Sequence, residues 1–129
     1  MQVGLVLKPR GFEDSRSRQS SGHREWRDNG AVHAAAVCFD LHIPESRSLK
    51  VKRAAIRPIV DGLRHRFHVS VAEVDHQDQW QRAAIAVAVV APTHGRLREV
   101  IAAVERFVAT APYVELLDVD TAWLESERA

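Results

Sequence analysis

The sequence predicts an α+β sandwich, a four-stranded antiparallel sheet with two helices on one face. Three observations predict it. Apolar residues alternate along Ala31 to Ile43, Val69 to Val90 and Val114 to Trp123, the two-residue period of half-buried strands. Two intervening stretches, Leu49 to Phe67 and Leu97 to Val108, repeat their apolar residues at helical spacing. The middle apolar run holds two strands, so the order is βαββαβ, the split βαβ pattern whose short connections favour one antiparallel sheet. A chain of 129 residues, 46% hydrophobic and 27% charged, has room for one such domain.

Residues 1 to 30 stand apart. Gly11 to Gly30 is rich in Arg, Ser, Asp and Glu and nearly free of aliphatic side chains, so it cannot bury enough apolar area to offset the entropy of ordering it. It is read as a disordered N-terminal extension, with Val3 to Leu7 able at most to add weakly to a sheet edge. The domain proper is residues 31 to 125. Its first strand places Val37, Phe39, Leu41 and Ile43 on one face and Ala36, Cys38, Asp40 and His42 on the other. Pro44 ends it, and Ser46 or Ser48 caps the helix that follows. Leu49, Ile56, Val60, Leu63 and Phe67 recur along that helix at spacings of seven, four, three and four. Pro58 removes a backbone donor inside it and predicts a bend, not an end, because the stripe resumes in register. Gly62 adds local weakness. Val69 and Val71, then Ile85, Val87 and Val89, form the hairpin strands. Pro92-Thr93 stops the third strand and caps the second helix, whose stripe is Leu97, Val100, Ile101, Val104, Phe107 and Val108. Ala111-Pro112 closes that helix before the last strand. The first and third strands are the most apolar, so they belong in the centre; the second and fourth carry charges that protect edges.

Composition excludes several classes of function. Cys38 is the single cysteine, which rules out an intrachain disulfide and a multi-cysteine zinc site and favours a reducing compartment. Cys38, Asp40 and His42 make no convincing metal set, and the expectation is no metal and no cofactor. The apolar runs fall short of the roughly 18 residues that span a bilayer, and Val3 to Leu7 is too short for a secretory core. A cytoplasmic protein with no membrane partner is expected. Net charge is +1, but it is unevenly spread. His42 to Arg66 holds seven Arg and Lys against Glu45 and Asp61, whereas Glu99 onward holds seven acidic residues against Arg106 and Arg128. This predicts a bipolar molecule.

Two motifs bring a resemblance. His42-Ile43-Pro44-Glu45-Ser46-Arg47-Ser48-Leu49-Lys50-Val51-Lys52-Arg53, followed by Val69-Ser70-Val71-Ala72-Glu73-Val74-Asp75-His76-Gln77-Asp78 and Trp80-Gln81-Arg82-Ala83, resemble the YlxP-like family of small bacterial proteins. The likeness covers about residues 31 to 124. It implies a ferredoxin-like fold and a link to translation, because family genes often neighbour those of an initiation factor and a ribosome-maturation factor. It brings no catalytic residue and no activity. The N-terminal extension departs from the family pattern, as does Val51, where an acidic residue is common and would complete a capping box.

The residues themselves offer three candidate surfaces. At 100° per residue, Lys50, Arg53, Arg57 and Arg64 fall within about 60° of one another on the first helix, with Arg47 just before it. This basic ridge is read as a binding surface for a phosphate backbone, the alternative being stems that merely cover the edge of the core. The expected partners are the ribosome or structured RNA, and the expected function is non-enzymatic binding linked to translation or ribosome maturation. The second surface is the hairpin tip, His76, Gln77, Asp78, Trp80 and Arg82, richer in polar side chains than a turn requires. There His76 and Asp78 suggest an acid/base pair tuned by Glu73 or Asp75, with Arg82 holding an anion. No nucleophile accompanies them. The tip therefore stands as a recognition surface or, as the alternative function, the site of an enzyme or small-ligand binder, against a structural reading in which Asp78 and Gln81 bond the loop backbone and Trp80 covers the end of the core. The third surface is the open sheet face, Ala36, Cys38, Ala84, Ala86 and Ala88. It suits a homodimer or plain solvation and lacks the aromatics of an RNA-stacking sheet.

Overall fold

A computed structural model describes residues 32–124. The 1–30 extension and Val3 to Leu7 lie outside the described residues. The elements are β1 (His33–His42), α1 (Leu49–Phe67), β2 (Ser70–Asp75), β3 (Arg82–Ala91), α2 (His94–Ala109) and β4 (Glu115–Trp123). The sheet runs β2-β3-β1-β4, antiparallel at every pairing. The apolar strands β1 and β3 are central and the charged strands are edges, as composition predicts. Both edge strands carry an irregularity. Register shifts between Glu73 and Asp75 in β2 and opposite Asp40/Leu41 in β4 leave Val74 and Leu117 about half exposed. Such bulges twist an edge away from further pairing.

Period-two alternation turns Ala35, Val37, Phe39 and Leu41 of β1 and Ala83, Ile85, Val87 and Val89 of β3 inward. They join Ile56, Ile59 and Leu63 of α1 and Leu97, Ile101, Val104 and Val108 of α2 in one core. Both helices therefore share one face of the sheet, in the βαββαβ arrangement called ferredoxin-like. The other face is uncovered among the described residues, although Ala84 on it is only 6% exposed, so the small-residue face is not evenly open.

Helix α1 is capped by Ser48, whose backbone is extended and whose Oγ accepts from the Val51 N–H at 3.1 Å. Ser46 is not the cap; it is buried and donates its hydroxyl to the Ser48 carbonyl at 3.0 Å. The helix runs through Pro58 without a break. An N–H at position 58 would donate to the Ala54 carbonyl; both residues are exposed, so the carbonyl that the ring leaves unpaired is open to solvent. The helix stops at His68, which adopts the left-handed conformation (φ 55°) and donates its N–H to Arg64 O. Gly62 has a packing role rather than being mere weakness. A Cβ there would lie 2.5 Å from Phe107 Cζ, so glycine lets the Phe107 ring of α2 close against α1.

Candidate nucleic-acid interface

The sheet divides the candidate residues between its two sides, and one buried lysine joins them. Lys52 is 2% exposed. Its Nζ donates to the carbonyls of His76 at 2.9 Å, Gln77 at 3.2 Å and Arg82 at 3.2 Å. These three bonds use all its donors. Glu73 Oε2, 3.1 Å away, therefore contributes charge without a hydrogen bond, and this buried oxygen has no hydrogen-bond partner. Lys52 thus clamps the hairpin tip to α1. Removing its partners would strand a buried charge, which is the costly direction for such a pair. A second set of ties holds the tip to the β1–α1 connection: Gln81 donates through Nε2 to Pro44 O and Ser46 O, and Ile43 N–H donates to Gln81 O at 2.9 Å.

Lys52 was absent from the residues singled out by sequence, yet a signal for it exists. With Leu49, Ile56, Ile59 and Leu63 it forms a stripe at spacings of three, four, three and four, and a lysine within such a stripe is either buried and paired or misplaced.

The basic ridge forms as expected and acquires a groove. Arg47, Lys50, Arg53, Arg57 and Arg64 are all exposed. Arg53, Arg57 and Arg64 line a cavity of about 220 Å³ between α1 and β2, with Lys52, Ile56, Val60, Asp61 and Glu73 completing its walls. Arg64 is partly committed, donating through a terminal guanidinium nitrogen to Val71 O at 2.9 Å. The side chains of Arg47, Lys50, Arg53 and Arg57 have no hydrogen bond or ion pair among the described residues. Arg66, on the same helix, is spent instead over the Phe107 and Phe67 rings.

The tip departs from its predicted chemistry. The carboxylate near His76 is Asp40, at 3.8 Å from Nε2, and not Asp78. Asp78 makes no side-chain hydrogen bond among the described residues. Asp75 accepts from the His76 backbone N–H at 2.7 Å, while Glu73 faces inward to Lys52, because the β2 irregularity lies between the two. Arg82 is not a free anion-holder; it meets both Asp40 oxygens at 2.9 and 2.7 Å. Gln81 does bond loop backbone, as the structural reading requires, but Trp80 does not cover the core and is 54% exposed. Gln77 is also exposed. His76, half-buried, therefore joins Arg82 and Asp40 on the outer face, where cross-strand neighbours on the sheet meet.

Farther along that face, Cys38 lies opposite Asp120. Burial, then the negative charges of Asp40, Asp120, Asp75 and Asp118, raise its thiol pKa, which makes it a poor nucleophile near neutrality. Among the described residues no group of three or more His, Cys, Asp and Glu side chains is placed to hold a metal ion, and no helix is long and apolar enough to cross a membrane.

Fold and surface together define a small ferredoxin-like α+β domain carrying a cationic groove. Residues 34–121 match the model of a family described as a protein of unknown function, DUF503, and the chain belongs to that family. It is similar to the uncharacterized protein YlxP of Bacillus subtilis strain 168, 31% identical over 81 residues, which are 63% of this chain and 88% of that protein. Among solved structures it is similar to a C-terminal segment of the alpha subunit of aIF2 from Pyrococcus abyssi, at 17% identity and a TM-score of 0.38. That alignment takes in 82% of this chain and 58% of that one. The fold itself rests on the strand order and pairing described above.

Proposed function

We propose that this protein is a non-enzymatic binding protein that holds the phosphate backbone of RNA, on the ribosome or in another structured RNA, along the α1 ridge. One observation carries the reading: Arg47, Lys50, Arg53 and Arg57 are exposed and have no partner among the described residues. Two other cations of the domain are met internally, Lys52 by Glu73 and Arg82 by Asp40. Unpaired cations on one side of a helix attract a polyanion and release its counterions on contact.

The test is co-sedimentation with ribosomal particles, and binding to structured RNA, across a salt series. Affinity is expected to fall with log salt by about 0.7 to 0.9 log units per phosphate contacted. Reversing Lys50, Arg53 and Arg57 to Glu together should abolish binding at moderate salt while the melting transition stays native. Binding that survives the triple reversal would exclude the ridge.

A second reading has one observation in its favour, the 54% exposure of Trp80 on a tip clamped by Lys52. A rigid, exposed indole is a common anchor of recognition surfaces. On that reading Trp80→Ala abolishes partner or small-ligand binding, the charge reversals leave it intact, and salt matters little. A homodimer through the open alanine face has no comparable observation behind it.

A further inference from the structure

The groove contains a residue that a plain phosphate site would not have. Asp61 lines it with Arg53, Arg57 and Arg64, four residues after Arg57 and three before Arg64, yet it forms no ion pair with either among the described residues. The other acidic residue of the lining, Glu73, has its charge met by Lys52 at 3.1 Å. Asp61 has not. Facing a polyanion, a free carboxylate among arginines opposes binding, so its presence favours a ligand that brings hydrogen-bond donors beside its phosphates. A carboxylate only accepts. The volume of about 220 Å³ lies below the roughly 300–1,000 Å³ of pockets that take whole drug-sized ligands, which fits a single ring system. Half-buried Val60, beside the buried Ile56, gives it a small apolar edge to lie against.

We propose that the α1–β2 groove is a nucleotide subsite in which Asp61 reads the edge of one unstacked guanine while Arg53 and Arg57 hold the adjoining phosphates. This rests on the RNA reading above and specifies what part of the RNA the ridge takes. Guanine presents two neighbouring N–H donors on its Watson–Crick edge, at N1 and N2, and so matches the two oxygens of one carboxylate. Adenine and cytosine offer one exocyclic amine each, and uracil one imino group. Bases inside a duplex keep that edge paired, so the target is a single-stranded loop, bulge or end.

The experiment is fluorescence anisotropy of labelled seven-nucleotide oligouridines with guanine, inosine or adenine at the centre, at low salt, alongside a structured ribosomal RNA fragment. Guanine should bind about tenfold more tightly than adenine, the scale of one bidentate base contact. Inosine, which lacks the N2 amine, should fall between. Asp61→Asn, at an exposed helix position, should retain a native melting transition and salt-dependent binding but lose the preference. Arg53→Glu with Arg57→Glu should weaken all three oligonucleotides alike. Equal affinities for the three in the wild type would overturn the subsite. So would an Asp61→Asn variant that tightens all three equally, since Asp61 would then be only a repulsive neighbour. If the structured fragment binds and no oligonucleotide does, the subsite falls and the ridge stands; if neither binds, both fall.

Discussion

Cys38 and Lys52 are polar groups half-buried on and fully buried beneath the same sheet, and their surroundings set opposite consequences. Around Cys38 the neighbours are acidic, and its thiol holds a proton in the native state that the unfolded chain releases. The native state therefore binds more protons than the unfolded one above the ordinary thiol pKa of about 8.5, and stability falls as pH rises from there toward the raised native value. Cys38→Ala should remove that part of the alkaline loss. Urea midpoints of wild type and variant, taken between about pH 7.5 and 9.5, are expected to converge or cross as pH increases; a constant difference would show that the thiol is not perturbed. Lys52 has the reverse setting, three carbonyls and a carboxylate. The helical wheel places it within the apolar stripe, at about 200° when Ile56 is at 240° and Ile59 at 180°, so its burial is legible in sequence. Its partners are not, because they lie 21 to 30 residues away and no local spacing reveals them.

In the elements, the two helix-breaking residues of α1 have separate explanations. Pro58 sits on the exposed side and is tolerated there. Gly62 sits against Phe107, whose ring meets Phe67 edge-on at 5.8 Å. Alanine at position 62 should gain up to about 1 kcal/mol of helix propensity but suffer overpacking of about 1–3 kcal/mol. Gly62→Ala is expected to lower stability modestly, whereas in a Phe107→Leu background the same change should be neutral or stabilising. A double-mutant cycle measured by urea unfolding gives this coupling directly, and additive effects would show that the ring does not limit the site. The hairpin tip shows the boundary of sequence reading from the other direction. Apolar alternation predicts β2 and β3, but Trp80 could be assigned to the core or to solvent only by knowing that Gln81 and Lys52 hold the loop by its backbone. Those contacts fix the tip without the indole.

For the whole molecule, strand order was legible because burial differs between central and edge strands, and composition records burial. The groove was only half legible. Helical periodicity aligns Arg53, Arg57 and Arg64, but the opposite wall comes from β2, and which cations remain free depends on tertiary pairs such as Arg82 with Asp40, 42 residues apart. The pairing of β1 with β4 has a further consequence. Ala35 lies opposite Trp123 and Leu124 N–H donates to Ala34 O at 2.9 Å, so the opening and closing residues of the folded domain are adjacent in space. A domain so arranged tolerates circular permutation. Splicing Leu124 to His33 through a short glycine linker and opening the chain between Pro112 and Tyr113, both exposed, should yield a protein that melts within several degrees of the parent. It would begin with β4 and end after α2, with the basic groove intact. Loss of the cooperative melt would mean that the covalent link from α2 into β4 is needed to register that edge strand; retention would leave the architecture portable, able to be inserted through one pair of neighbouring ends into a loop of a host protein.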